Sequence, residues 1–459
     1  MTDRQPSEPS GPTEPSGPSG RPAPPPPPGR LRHRPLSPLR EHLRESFWVA
    51  PLVTCVLAVL LALGTSWIDS EVVHEEISET GSAEGLLSFA SGAKAVVSTV
   101  SSAMLTFIGV VFSISLVALQ MAASQMSPRV LRLYVRSRIT KATFSTCLAT
   151  FLFTLLVQLG YDDTTDPTKV TTVPVVSTLV AVVLVLLSLG LFVLYVQSTM
   201  RLLRVPHVID RVTRESVAVL TTYRWMAPEA GPRLEPPTDA VTLLHQGNSG
   251  VLRDVSLGRL VRIARKHGAV LHLVPRIGDF IAPGTPTVVV SGGTPPRPGR
   301  IAGALNIGVD RTMHQDLSFG FRQLVDIAIR ALSPAVNDPT TAVQAVDRIH
   351  QLLALLAGYP FGELRYRDRA GAVRLVQPIP DWQCTVDLAF TEIRICGAGQ
   401  PQVSRRLTAA MDDLLRITPD ERRPPLLAQR DLLERAVAAE VAEADNRAFA
   451  LTPDRQGIG

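Results

Sequence analysis

The chain has 459 residues, 45% of them hydrophobic and 19% charged, with a formal net charge of +5. That length exceeds what one hydrophobic core organises, so at least two structural units are required. The apolar residues crowd into roughly the first 200 positions, which excludes a wholly soluble protein and points to a membrane domain with a soluble remainder.

Residues 1–45 read as a disordered tail. Positions 1–29 are mostly Pro, Ser, Gly and Thr, with five prolines from Pro24 to Pro28, and have little to bury. No signal peptide is expected, because the first apolar run starts far from the N-terminus and lacks a cleavage pattern. A basic collar follows at Arg30, Arg32, Arg34, Arg40 and Arg44, then Phe47 and Trp48 at the position of an aromatic belt.

Residues 46–200 carry four apolar spans, expected over about 49–68, 95–123, 142–161 and 173–197. Between the first two lies an expected acidic loop with Asp69, Glu71, Glu75, Glu76, Glu79 and Glu84. The next loop, with Arg129, Arg132, Arg136, Arg138 and Lys141, holds no acid. Asp162, Asp163 and Asp166 precede the fourth span, and Arg201, Arg204, Arg211 and Arg214 follow it. Basic and acidic segments alternate, and the positive-inside rule turns that alternation into cytoplasmic N- and C-termini in an inner or plasma membrane. The same bias accounts for the clustered basic residues, so no nucleic-acid partner is expected.

The second span is long and unevenly apolar. Ser98, Ser102, Thr106, Gly109, Ser113, Gln120 and Ser124 recur in steps of three, four or, across Val117, seven residues, which makes one stripe along a helix. The third span has its own stripe of Thr143, Cys147, Thr150, Thr154 and Gln158. Two readings stand. The stripes pack helix against helix, facing each other, or they line a permeation path. No Asp, Glu, Lys, Arg or His falls inside these spans, which argues against a proton-coupled pump. The fourth span, mostly Val and Leu, reads as the most exposed to lipid.

Residues 201–238 read as an amphipathic helix from Val208 to Trp225 and a joint with Pro228, Pro232, Pro236 and Pro237. Residues 239–300 read as a small β-rich unit. Its strands are expected at Val241–Leu244, Gly250–Val255, Ala269–Val274 and Val288–Val290, around a helix from Leu257 to Lys266. The turn Gly278-Asp-Phe-Ile-x-x-Gly-x-Pro resembles that of lipoyl- and biotinyl-type sandwich barrels. No lysine stands at a hairpin tip, so the likeness concerns fold alone.

Residues 301–450 read as mainly helical. Helices are expected at Phe321–Ala331, Thr340–Leu356, Val386–Cys396, Val403–Ile417 and Leu426–Phe449, with a hairpin over Glu363–Val376 turning at Arg369-Ala-Gly. Asp310, Arg311, Asp316, Asp326, Asn337 and Asp338 form a candidate cytoplasmic cluster, although Asn337 and Asp338 also suit a helix cap before Pro339. Four cysteines and nine histidines show no zinc or disulfide spacing. No phosphate-binding loop, dinucleotide fingerprint or nucleophile elbow is present, so neither a catalytic residue nor a cofactor is expected.

Four motifs carry a resemblance: Val111-Phe-Ser-Ile-Ser-Leu-Val-Ala-Leu-Gln with Ser124-Gln-Met-Ser-Pro-Arg, the Gly278-Asp-Phe turn, Gln323-Leu-Val-Asp-Ile-Ala, and Leu332-Ser-Pro-Ala-Val-Asn-Asp-Pro-Thr-Thr-Ala. Over roughly residues 40–420 the chain resembles bacterial predicted membrane proteins of domain of unknown function 2254. The resemblance implies membrane spans followed by a cytoplasmic domain, and no activity. The expected whole is a four-helix transmembrane domain followed by a cytoplasmic α+β domain with a barrel- or sandwich-like part and C-terminal helices. Its partners are the lipid bilayer and further copies of itself. An oligomeric channel and a membrane-anchored sensor or scaffold are the two functions carried forward; an enzyme ranks behind both.

Overall fold

A computed structural model describes residues 48–80, 83–125, 137–159, 175–202, 204–226, 229–231, 235, 237–359 and 361–457, without the side chains of 71–91, 122–125, 202, 223–226 and 229–231. The N-terminal tail and basic collar, the 126–136 and 160–174 connections and most of the proline joint lie outside the described residues, so expectations placed there are not addressed by it.

Four helices open the chain: α1 (Val49–Thr80), α2 (Ala83–Gln125), α3 (Arg138–Leu159) and α4 (Val175–Leu202). Each holds a stretch long and apolar enough to cross a bilayer, at Val49–Ser70, Gly92–Met121, Arg138–Leu159 and Val175–Arg201. In hydrocarbon every backbone N–H and C=O must be satisfied within the segment, so such runs become helices. The expected acidic loop is instead largely helical. α1 continues to Thr80 and α2 begins at Ala83, well before its apolar window.

The bundle is organised around α3, which packs against all three other spans. Ala58 and Ala62 of α1 leave room for the buried ring of Phe153, and Val97, Val157 and Ala181 complete the cluster. Polar groups bind the same helices together. Thr54 Oγ1 on α1 donates to the Ser145 carbonyl at 3.3 Å, and Tyr195 Oη on α4 lies 2.7 Å from Ser115 Oγ on α2. Asp69 ties α1 to the start of α4. Its carboxylate is 1% exposed and accepts from the backbone N–H of Val176 at 2.7 Å and of Ser177 at 3.1 Å. These N–H groups have no partner within their own helix, and a carboxylate there also meets the positive end of the helix dipole.

After α4 comes α5 (Val205–Met226). It is amphipathic as expected, but it is more than a leader to the next domain. Val208, Ile209, Val212 and Leu220 enter the main helical core. That core is built with α8 (Leu317–Ala331), α9 (Pro339–Ala357), α10 (Trp382–Gly397), α11 (Pro401–Ile417), α12 (Arg423–Glu440) and α13 (Ala444–Leu451). The expected long C-terminal helix is broken in two, because the backbone turns extended at Val441 and Glu443. The break lets α13 return over α11, where Ala450 is buried and Arg405 lies 4.2 Å from the Phe449 ring centroid.

The strands are β1 (Glu229–Gly231), β2 (Val241–Leu244), β3 (Gly250–Val255), β4 (Val270–Leu273), β5 (Phe280–Ile281), β6 (Pro286–Ser291), β7 (Leu305–Gly308), β8 (Glu363–Arg367) and β9 (Val373–Pro378). They form a six-stranded sheet in the order β1-β8-β9-β4-β6-β2 and a three-stranded sheet β5-β3-β7. The expected hairpin turning near Arg369 is β8–β9. It joins the first sheet through a parallel pairing, Leu271 opposite Leu375, across about a hundred residues of intervening strands and helices. Helix α6 (Leu257–Lys266) buries Leu257, Leu260, Val261 and Ala264, an i, i+3, i+4, i+7 face, in the core of this β module. A five-residue helix, α7 (Pro298–Ala302), runs into β7.

Candidate functional site

The two polar stripes separate. On α3, Thr143, Cys147, Thr150 and Thr154 are buried and Gln158 is half-buried. Thr143 Oγ1 donates to the Leu191 carbonyl at 3.1 Å, and Thr150 Oγ1 lies 3.1 Å from Ser188 Oγ. Thr154 Oγ1 returns to the Thr150 carbonyl at 3.0 Å. This stripe fastens α3 to α4 inside the bundle.

The α2 stripe points the other way. Ala93, Val97, Ser101, Met104, Val111 and Ala118 are buried. At 3.6 residues per turn that face is centred half a turn from Ser102, Thr106, Gly109, Ser113 and Gln120. All five of those residues are exposed, and Ser98 is half-buried. The side chain of Ser124 lies outside the described residues. The stripes therefore do not face each other, because α3 turns its hydroxyls toward α4 and α2 turns its own outward. A Cβ built on Gly109 meets nothing within 4 Å, so another backbone has room to approach there.

The six residues of the second candidate cluster do not form one site. Asp316 caps α8: its carboxylate accepts from Phe319 N–H at 2.9 Å and from Arg311 Nε at 2.8 Å. Arg311 also lies 5.6 Å from the centroid of the Phe319 ring. Burial pushes the Asp316 carboxyl above the usual carboxylate range, against the pull of the Arg311 charge. The neighbouring Asp310 offers its backbone carbonyl to Arg253 Nε at 2.9 Å. Gly278 closes the group at φ +95°, against the Arg311 and Asp316 side chains. Gln315 clamps Val255 from both sides, accepting from its N–H at 3.0 Å and donating to its carbonyl at 3.2 Å.

The other three residues lie elsewhere. Asp326 pairs with Arg322 at 2.6 Å, and Arg322 also holds Glu392 of α10. Asp338 caps α9 by accepting from Thr341 N–H at 3.0 Å, after Asn337 turns at φ +47°. The fifteen residues of α8, about 22 Å of helix, separate Asp316 from Asn337 and Asp338.

The N-terminus of α8 borders a cavity of about 80 Å³ between the β module and the helices. Its wall is mainly apolar, with Leu220, Ile277, Phe321, Leu356, Phe361 and Pro378, and its polar groups include Arg276, Gln315, Asp316 and Gln377. An engineered apolar cavity of about 150 Å³ admits benzene, so this one takes only a small group or the tip of a larger ligand. Sequence reasoning missed Arg276 and the cavity, since the wall is assembled from segments up to 165 positions apart (Leu220 to Thr385). Among the described residues, no group of three His, Cys, Asp or Glu side chains is placed to hold a metal ion.

The family described as "Predicted membrane protein (DUF2254)" matches residues 44–413. The chain belongs to this family. It is similar to uncharacterized proteins of Mycobacterium tuberculosis (strain H37Rv) and Mycobacterium bovis, each 28% identical over 428 residues, covering 90% of this chain and 80% of the relative. No solved structure matches it significantly. In this DUF2254 chain the Gly278-Asp-Phe turn and the Gln315-Asp segment meet beside the cavity, whereas the Asn337-Asp338 motif serves as a helix cap.

Proposed function

We propose that the protein is an oligomeric channel or permeation protein of a cell membrane, with both termini and the α+β domain in the cytoplasm, where that domain regulates the path. One observation carries the reading. The polar face of α2 stands opposite the face that packs on its own bundle. Hydroxyls and a glutamine amide along a span are best covered by another copy or by a watery path, since lipid offers them no partner. The lack of an ionisable group midway along this face fits a path lined by hydroxyls rather than a proton relay. The alternation of basic and acidic connections supports the orientation.

The test is cysteine crosslinking in native membranes, combined with flux through proteoliposomes. With the four native cysteines replaced, Ser113→Cys and Thr106→Cys on the polar face should crosslink between copies. Phe112→Cys and Val110→Cys on its flanks should not. Equal crosslinking at all four positions, or polar-face crosslinking without flux of any ion or small solute, would remove the path.

A second reading, a membrane-anchored sensor or scaffold, is favoured by the cavity beside Arg276 and Asp316. Leu220 of α5 is part of its wall, and α5 begins three residues after α4 ends. A ligand seated there would press on the helix joined to the fourth span. Binding by the full chain in the absence of any flux would select this reading.

A further inference from the structure

The β module is far more basic than the chain that carries it. Residues 241–308 and 361–380 contain twelve Lys and Arg against four Asp and Glu, a net +8, while the whole chain is +5. From Val255 to Val309 the one acid is Asp279. The cations gather on one strip. Helix α6 exposes Arg259, Arg262, Arg265 and Lys266. The segment 294–303, with exposed Arg297 and Arg300, runs back alongside it. Thr294 N–H donates to the His267 carbonyl at 3.0 Å at one end, and Arg259 Nη1 donates to the Gly303 carbonyl at 2.7 Å at the other. The strip is about 15 Å long, the length of the ten-residue helix.

These charges are unlike those of the helical half. There arginine after arginine is paired, as in Arg211–Glu215, Arg322–Asp326, Arg406–Asp347, Arg416–Asp413 and Arg435–Asp431. Among the described residues, none of Arg262, Arg265, Lys266, Arg297 and Arg300 has a carboxylate within ion-pair distance. The dipole of α6 favours Arg265 and Lys266 in its last turn. It does not account for Arg262, Arg297 or Arg300.

We infer that this strip docks on anionic lipid headgroups of the membrane that the same chain spans. Two observations select lipid over nucleic acid. Neither α6 nor the segment 292–304 contains an aromatic residue, so no platform exists for stacking bases. The strip is also tethered to the bilayer through α5, 22 residues or about 33 Å long, which keeps it at high effective concentration near the headgroups. Clustered cations beside an anionic leaflet each strengthen attachment by about fivefold, and the attraction fades within a Debye length. A docked strip holds the β module, and with it the cavity wall, at a fixed height over the membrane. The inference is independent of whether α2 lines a path.

The test uses the full chain in nanodiscs of phosphatidylcholine, with or without phosphatidylglycerol, so that both leaflets carry the same lipid. A fluorophore is placed at Gly299→Cys, with Cys384 and Cys396 replaced by Ser, and a headgroup-nitroxide lipid serves as quencher. Quenching should appear with phosphatidylglycerol and vanish in molar salt. It should fall at least tenfold in the triple variant Arg262→Gln, Arg297→Gln, Arg300→Gln. All three side chains are exposed, so that variant should unfold at the parent's temperature. Equal quenching in pure phosphatidylcholine would overturn the inference, because charge would then play no part. So would the absence of quenching by anionic lipid in a protein whose label instead responds to a short single-stranded RNA.

Discussion

Gly278→Ala probes the junction between the β module and α8. At φ +95° an alanine is strained by about 1–2 kcal/mol. Its Cβ would also lie 2.3 Å from Arg311 Nη2 and 2.5 Å from Asp316 Oδ2. The two neighbours differ in their freedom to move: the Arg311 side chain is 32% exposed and has an exit, whereas that of Asp316 is 3% exposed and has none. Arg311 should therefore swing into solvent and leave the carboxylate with the Phe319 N–H alone. Removing one partner of a buried pair costs about 3–5 kcal/mol, so the summed loss is roughly 4–7 kcal/mol.

The pH dependence has a definite sign. Burial already holds the Asp316 carboxyl above its usual range, and loss of the guanidinium moves it higher. A carboxyl raised above its unfolded value, about 3.9, contributes stability below that value and loses it as pH rises through the folded pKa. The deficit of Gly278→Ala should thus be greatest at neutral pH and shrink as pH falls toward 4. Urea unfolding of the detergent-solubilised chain at several pH values, followed by fluorescence of tryptophans that include buried Trp382, measures it. Arg311→Ala alone should lose the same pair. Adding Gly278→Ala to it should cost only the backbone strain and the remaining contact with Asp316. Full additivity of the two changes, or a Gly278→Ala protein within 1 kcal/mol of the parent, would refute this account of the junction.

Asp69→Ala removes the acceptor shared by the Val176 and Ser177 backbone N–H groups and should cost about 2–3 kcal/mol in detergent. Asp69→Asn keeps one acceptor oxygen but turns its amide nitrogen, a donor, toward the other backbone N–H, so it should restore only part of the melting temperature. Across α3 and α4, a double-mutant cycle of Thr150→Val and Ser188→Ala should give a coupling near 0.6 kcal/mol, typical of a hydrogen bond between spans. Asp338→Ala should destabilise by about 1 kcal/mol through loss of the α9 cap. Asn337→Gly should be neutral or better in the same melt, because that position sits at φ +47°.

The four long apolar helices were legible because a run of more than twenty apolar residues fit for a bilayer has a single local solution. Helix α6 was legible to the residue, its apolar side chains falling on one face. α8 was expected to start at Phe321 but starts at Leu317, because the Asp316 cap admits one more turn. The pairing of β9 with β4 was hidden, since nothing local in Val373–Pro378 marks a partner a hundred residues earlier. The second candidate cluster failed as a unit for a related reason: Asp316 and Asp338 are close in sequence but cap two successive helices, with the length of α8 between them.

Periodicity fixes the angle between two stripes on one helix, but it does not say which stripe the rest of the protein covers. On α3 and α2 the same residue types at the same spacing meet opposite fates, and the reason lies in their neighbours. α3 sits at the centre of four spans, in contact with each of the others, and its threonines find Leu191 and Ser188. α2 packs through Ala93, Val97, Ser101, Met104, Val111 and Ala118, with Ser115 held by Tyr195, a face that meets the bundle without the stripe. Its polar face is therefore surplus to the stability of one chain. Several serine and threonine hydroxyls can turn back to a carbonyl four residues earlier, as Thr106 does to Ser102 at 3.4 Å. The Gln120 amide is too long to be satisfied that way, and the open side of Gly109 serves no contact within the bundle. The Ser113→Leu and Ser113→Ala variants separate these roles. In one solubilised chain both should melt within about 0.5 kcal/mol of the parent, because Ser113 is exposed. Leucine alone should break association in the membrane. If Ser113→Leu lowers the stability of the dissociated chain as much as it weakens assembly, α2 is turned inward after all.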